Sequence, residues 1–110
     1  MAMPISDAFD VSEIAERLKA ENGGYKVFHS SPGLDLGVYV LVAPEPDGQQ
    51  PHEWDEVYLV LHGQATLTVE GEVIPLVEGR AAYVKAGEEH RFTDYESVSL
   101  LVVFDKTQTA

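Results

Sequence analysis

The chain has 110 residues, of which 45% are hydrophobic and 24% charged, a composition typical of one folded globular domain. Its 19 acidic and 7 basic residues give a formal net charge of -12, which disfavours binding to nucleic-acid phosphates or anionic membrane surfaces. The chain has no cysteine, which excludes disulfides, thiolate metal sites and a thiol nucleophile.

The N-terminal residues lack the basic start and the apolar core of a signal peptide. No apolar run approaches the roughly 20 residues needed to span a bilayer. We therefore expect a cytoplasmic protein with neither a nucleic-acid nor a membrane partner.

The first predicted element is a short amphipathic helix within residues 10–23, after a lead-in at residues 1–9. Asp10 and Glu13 have the spacing of a capping box, although Ser12 is an alternative cap. Apolar residues recur at helical spacing at Val11, Ile14, Ala15 and Leu18. Asn22-Gly23-Gly24 is a typical helix stop, and we expect the helix to cover a sheet edge or a barrel end.

From residue 24 to residue 106 the pattern changes to short strands that are separated by turns. Glu70-Gly71 predicts a tight hairpin, and His62-Gly63 predicts a turn. The predicted strands are Tyr25–His29, Leu36–Ala43, Pro51–Leu61, Gln64–Val69, Val73–Leu76, Ala81–Val84, His90–Thr93 and Ser99–Phe104. This series indicates an all-β sandwich or barrel with one helix at its front and a short tail at residues 107–110.

Chemistry-bearing residues cluster on the predicted strand that starts near residue 50. With period-two alternation, Gln50, His52 and Glu56 share one face with Trp54 and Tyr58. An imidazole and a carboxylate four residues apart on that face can reach one metal ion, and so can an amide oxygen two residues upstream. A strand face that begins with polar residues and ends with apolar residues fits a pocket with a hydrated opening and an apolar base.

These residues also fit two motifs. The first, H-x-H, three or four residues, E, six residues, G, falls on Gln50, His52, Glu56 and Gly63, with glutamine at the first histidine position. The second, G, five residues, P-x-G-x-x-H, three residues, N, falls on Gly79, Lys85, Gly87, His90 and Asp94. Between about Leu36 and Phe104 the chain therefore resembles a small single-domain cupin. The resemblance implies a double-stranded β-helix of the jelly-roll type, with one short N-terminal helix.

The resemblance implies that a divalent transition metal (iron, manganese, nickel or zinc) is bound by Gln50, His52, Glu56 and His90. Two imidazoles and one carboxylate form the ligand set of non-haem iron enzymes. The neutral amide of Gln50 is a weaker ligand than imidazole, which favours iron or manganese. In the alternative, Gln50 does not bind the metal and donates a hydrogen bond to one of the ligands. In the alternative interpretation, the two histidines bind backbone groups and Glu56 is a partly exposed strand carboxylate.

Aromatic residues at Trp54, Tyr58, Tyr39, Tyr83 and Phe92 either line a pocket or pack in the core. Tyr58 is the nearest candidate proton donor and the candidate catalytic residue. The first functional hypothesis is a metal-dependent enzyme acting on a small organic molecule. An oxygenase-like oxidoreductase is the first choice, and an isomerase or decarboxylase follows. A non-catalytic ligand-binding or sensing protein and a purely structural module are the alternatives. We also expect a homodimer that packs through the helix and the first strand.

Overall fold

The computed structural model describes residues 7–107. Residues 1–6 of the predicted lead-in and 108–110 of the predicted tail lie outside that range, so the division of the chain at its ends stays a prediction. The described elements are α1 (Val11–Ala20), β1 (Gly24–Ser31), β2 (Leu34–Val42), β3 (Asp55–Val69), β4 (Glu72–Val77), β5 (Ala81–Val84), β6 (His90–Thr93) and β7 (Ser97–Asp105). The all-β class with one short helix is confirmed.

The longest strand, β3, organises the barrel. Its first half pairs with β7 and β5, and its second half pairs with β4 and β6. On the other side of β7 lie β2 and then β1, so the strand order is β1-β2-β7-β3-β4. Side chains from both halves pack in one jelly-roll core that contains Tyr58, Val60, Leu67, Leu76, Phe92, Leu100 and Val102.

The predicted turn at His62-Gly63 is wrong, because β3 runs through it. The pairing of β3 with β7 shifts register between Val60 and His62, which is a β-bulge. Gly63 has φ 83°, and a Cβ atom on it would lie 2.2 Å from the carbonyl oxygen of Ser97. This glycine permits a close backbone approach inside a strand.

The helix α1 covers the outer face of β2. Ala15 is buried together with Val38 and Val40, and the Asp10 side chain accepts a hydrogen bond from Glu13 N as the cap. The cap and the apolar face are confirmed, and the helix ends at Ala20, just before the predicted stop, where Asn22, Gly23 and Gly24 have positive φ. None of the helices in the described range is long and apolar enough to cross a membrane.

Two connections position the site. The hairpin at Glu70-Gly71 is confirmed, since both residues have positive φ and Val69 pairs with Glu72 across it. By contrast, the strand predicted from about residue 51 begins only at Asp55. Residues 46–52 therefore form an irregular loop, in which alternation between two faces does not hold.

Candidate metal centre

Three segments bring His52, Glu56 and His90 together. Glu56 lies on β3 between β5 and β7 and its side chain is 2% exposed. His90 begins β6 and is buried. His52 lies in the loop before β3, where its carbonyl oxygen accepts a hydrogen bond of 2.8 Å from Gly87 N. One ligand atom from each of the three residues lies within 4.8 Å of the others, as a shared metal ion requires.

Glu56 carries a polar atom whose environment fits a cation. Its Oε1 lies 3.2 Å from His90 Nε2 and 3.9 Å from His52 Nε2. That oxygen is buried, and its nearest neighbours are imidazole nitrogens, which donate to it only when they are protonated. A buried carboxylate oxygen that faces two neutral rings without a donor is strongly unfavourable, and a cation between the carboxylate and the two imidazoles would remove this penalty. The residues therefore fit a divalent metal ion.

His90 has the tautomer that a metal ligand needs. Its Nδ1 lies 2.9 Å from the carbonyl oxygen of Glu88, so Nδ1 carries a hydrogen and donates it to that oxygen. In the neutral ring, Nε2 then presents a lone pair to the site. Burial opposes charging of the ring, but contact with the Glu56 carboxylate, the Glu88 carbonyl and the charge of Asp47 together raise the pKa of His90 above 6.5.

The structure corrects the placement of the predicted amide. Gln50 is exposed and makes no hydrogen bond to the site residues in the described structure; it lines a surface pocket whose walls also include Gln49 and His90. Gln49 takes its place, with Oε1 3.1 Å from His52 Nε2 and 3.2 Å from His90 Nε2. The reason is that residues 49–52 form a loop, so the strand alternation from which Gln50 was chosen does not apply.

Residues 38–104 match a family model described as a cupin domain. The chain belongs to the cupin family. It is 36% identical over 103 residues to the uncharacterized protein SCO3923 of Streptomyces coelicolor, covering 93% of this chain and 98% of that one. The fold is similar to that of the conserved SPY1581 protein of unknown function from Streptococcus pyogenes (TM-score 0.76, 19% identity, 97% and 93% of the two chains). It is also similar to that of the DMSP lyase DddQ from Ruegeria pomeroyi (TM-score 0.71, 21% identity), where the match covers 83% of this chain and 51% of that one.

A buried acid that sequence reasoning missed supports the centre of this cupin. Asp47 is 1% exposed, and its Oδ1 accepts hydrogen bonds from Tyr39 OH (2.7 Å) and Gln49 N (3.3 Å). Its Oδ2 accepts from Gln49 Nε2 (2.7 Å) and Phe92 N (2.9 Å). The only sequence signal was one of two acids, Glu45 and Asp47, in a loop rich in proline and glycine, and acids in such loops are usually solvent exposed.

A cavity of about 200 Å³ adjoins the centre of the cupin barrel. Its lining consists of Tyr25, Tyr39, Gly48, Gln49, His52, Glu56, Tyr58, Val102 and Phe104. The structure thus places Tyr39 and Tyr58 at the cavity, where they were predicted. Tyr25 and Phe104 were missed as lining residues, because only the pairing of β1 with β2 and of β7 with β3 brings them there.

The other three predicted aromatic residues do not line this cavity. Trp54 packs edge-on against Phe104, with 6.0 Å between ring centres. Phe92 is buried in the core against Tyr58, at 4.8 Å. Tyr83 is 59% exposed, because odd-numbered positions of β5 face away from the barrel interior. For Phe92, core packing was the alternative already considered.

Three tyrosines of the cavity keep their hydroxyl protons at neutral pH. Burial, with smaller contributions from Asp35 and Glu56, raises the pKa of Tyr25 to about 12. Burial and the charge of Glu56 raise the pKa of Tyr58, and its hydroxyl lies 2.9 Å from Gln49 Oε1 and 3.0 Å from His90 Nε2. Burial and the hydrogen bond to Asp47 raise the pKa of Tyr39. These groups can donate hydrogen bonds, while their raised pKa values oppose loss of the proton itself.

Proposed function

We propose that this cupin binds a divalent transition metal through His52, Glu56 and His90 and acts as an enzyme on a small organic molecule in the adjoining cavity. The observation that carries the proposal is the buried Glu56 Oε1, which lacks a hydrogen bond and faces two imidazole nitrogens. When bound, such an ion polarises a carbonyl or hydroxyl oxygen, and iron can also activate dioxygen at an open position.

The cavity restricts the substrate by size and by charge. At roughly 30 Å³ for each water, its 200 Å³ corresponds to about seven water molecules, which is below the volume of sites for drug-sized ligands. No lysine or arginine is among its described lining residues, and Glu56 is acidic. The substrate class that fits is therefore a small uncharged molecule with an oxygen atom for the metal and an apolar part against Val102 and Phe104.

We assign Tyr58, the candidate proton donor, the role of a hydrogen-bond donor to the substrate. It lines the cavity, and its raised pKa keeps the hydroxyl protonated, so it can donate a hydrogen bond to a substrate oxygen while full transfer of the proton is opposed. The two basic side chains that line the cavity, His52 and Glu56, are both assigned to the metal in this proposal. An oxygenase-like reaction needs no further base and is our first choice of reaction, and isomerisation or decarboxylation is the second. The alternative function is that the cupin binds or senses a small ligand without catalysis.

The test begins with elemental analysis of protein purified without a histidine tag. The iron-loaded protein is then incubated with a panel of small neutral ketones, phenols and hydroxy-ketones while dioxygen uptake and product formation are measured. We expect turnover that disappears in the His52→Ala and His90→Ala variants. Ligand binding without turnover across the panel would favour the alternative function, and protein that binds no divalent ion would contradict both.

The raised pKa of His90 predicts how metal affinity depends on pH. A proton and a metal ion compete for Nε2, so the affinity should rise with pH below the His90 pKa and level off above it. The levelling should occur above pH 6.5. Calorimetry in buffers of different ionisation enthalpy should detect proton release on binding, and a pH-independent affinity between pH 6 and pH 8 would contradict the prediction.

The same pKa predicts the opposite trend for the metal-free protein. Because the folded-state pKa is raised, the stabilisation is complete below about pH 6.5 and is lost as pH rises through the folded value. The metal-free melting temperature should therefore fall over that range while the metal-dependent increment grows. If the melting temperature depends on pH in the same way with and without metal, the proton and the metal ion do not compete for the same site.

Two further expectations stay predictions, namely a cytoplasmic location and a homodimer. The dimer is supported by the edge strand β1, where Tyr25 and Val27 are 44% and 41% exposed. A monomeric mass by light scattering at micromolar concentration would contradict it.

A further inference from the structure

The amide of Gln49 has a fixed orientation that points its oxygen into the metal centre. Its Nε2 donates to Asp47 Oδ2 at 2.7 Å, and its Oε1 lies within 3.2 Å of both site histidines. Both Asp47 oxygens already accept hydrogen bonds from other O–H and N–H donors, so a flipped amide would place two oxygens in contact. The buried acid therefore determines which end of the amide faces the histidines.

Asp47 is itself held rigidly. Each of its oxygens accepts two hydrogen bonds, which join Tyr39 on β2, the loop at residue 49 and Phe92 within β6. A buried carboxylate that is fully satisfied in this way is a fixed support for its partners. The position of Gln49 is consequently tied to the same strand that carries His90.

Three distances among the four candidate donor atoms match those between neighbouring ligands of one ion. Oε1 of Gln49 is 3.1 Å and 3.2 Å from the two imidazole nitrogens, and Oε1 of Glu56 is 3.2 Å from Nε2 of His90. The distance from Oε1 of Glu56 to Nε2 of His52 is wider, at 3.9 Å. Neighbouring ligands of an ion with bonds of about 2.1 Å lie about 3.0 Å apart at right angles and about 3.4 Å apart at tetrahedral angles.

We infer that Gln49 Oε1 is the fourth protein ligand of the metal and that Asp47 is the residue that positions it. This inference rests on the proposed function. A set of two imidazoles, one carboxylate and one neutral amide oxygen favours manganese or iron over a four-coordinate zinc site, because the harder oxygen donors suit those ions and zinc readily substitutes water for the amide.

The test compares Mn²⁺ and Zn²⁺ dissociation constants, measured by calorimetry on the full chain. Gln49→Leu should weaken Mn²⁺ binding by about 10–100-fold and Zn²⁺ binding less, as losses of metal-supporting groups typically do. The matched control is Gln50→Leu, which removes an exposed amide one residue away and should change neither constant. Metal-free melting temperatures check that each variant is folded.

The role of Asp47 in positioning Gln49 is tested by exchanging the carboxylate and the amide between positions 47 and 49. Asp47→Asn allows the Gln49 amide to flip and should weaken Mn²⁺ binding as much as Gln49→Leu. The double variant Asp47→Asn with Gln49→Glu returns the negative charge and presents a carboxylate oxygen held by the new amide. It should bind Mn²⁺ as tightly as the wild type or more tightly, whereas a merely structural role for Asp47 predicts no rescue.

The outcomes separate this inference from the function on which it rests. If the wild type binds no divalent ion, or if binding survives in His90→Ala, the proposed function fails. If the wild type binds and His90→Ala does not, but Gln49→Leu matches Gln50→Leu, only the inference is overturned. Should Asp47→Asn not fold, the comparison of the variants at positions 49 and 50 still decides whether Gln49 is a ligand.

Discussion

Replacing Glu56 with glutamine should stabilise the metal-free protein and at the same time abolish its stabilisation by metal. In the wild type at pH 9, the ionised side chain is 2% exposed and one of its oxygens accepts no hydrogen bond. Removing that charge should raise the free energy of unfolding by about 1–3 kcal/mol, the usual penalty for an unsatisfied buried group. We choose pH 9 so that pairing with a charged His90 contributes little.

The effect of metal should change in the other direction. An ion present at 100 times its dissociation constant stabilises the folded state by about 2.7 kcal/mol, which raises the melting temperature of a domain of this size by about 10–20 °C. Without the carboxylate this increment should fall close to zero. Differential scanning calorimetry with and without Mn²⁺, and again after addition of chelator, measures both quantities.

Glu53→Gln is the matched control, because it removes the same charge from an exposed position three residues earlier. That variant should keep the full metal-dependent increment and the stability of the metal-free wild type. A Glu56→Gln variant that is less stable without metal and that still gains stability with metal would contradict both claims. Glu56 would then be neither a destabilising buried carboxylate nor a metal ligand.

The parts of this site that could be predicted are those that lie on regular strands. Glu56 is on β3 and His90 begins β6, so period-two alternation and the motif spacing placed both side chains inside the barrel. The hairpin at Glu70-Gly71 was equally predictable, since Gly71 readily adopts the positive φ that a two-residue hairpin turn requires. Local chemistry and pattern decided these features, and the structure agrees.

The parts that could not be predicted depend on the loop before β3 and on long-range pairing. Alternation assigned Gln50 to the inner face, but the loop has no period, and Gln49 faces inward. Asp47 is buried because hydrogen-bond donors from β2 and β6 converge on it. No local sequence pattern indicates that donors from two distant strands lie next to this residue. Tyr25 reaches the cavity only because β1 adds to the edge of β2.

The second large effect is expected at Gly63, where β3 passes from one half of the barrel to the other. Alanine there should reduce the free energy of unfolding by more than about 4 kcal/mol. Two causes combine, because φ of 83° is unfavourable by about 1–2 kcal/mol for an L side chain, and the new Cβ would lie 2.2 Å from the backbone oxygen of Ser97. A main-chain oxygen in a paired strand has little room to move away.

Gly79→Ala separates these two causes. Gly79 has φ of 86°, but nothing lies within 4 Å of the position of a new Cβ. This variant should lose only about 1–2 kcal/mol, the conformational part. Urea unfolding of both variants measures the difference, and equal losses would show that the contact with Ser97 has no energetic weight.

The same substitution at Gly63 should also weaken metal binding, since the bulge sets the angle between the two halves of β3. Glu56 lies in the first half, and Val69 in the second half pairs with His90. Displacement of the bulge would move the carboxylate relative to the imidazole, so Gly63→Ala should bind Mn²⁺ more weakly than Gly79→Ala at a temperature where both are folded. Unchanged affinity together with a large loss of stability would mean that the two halves of the barrel hold the centre independently of the bulge.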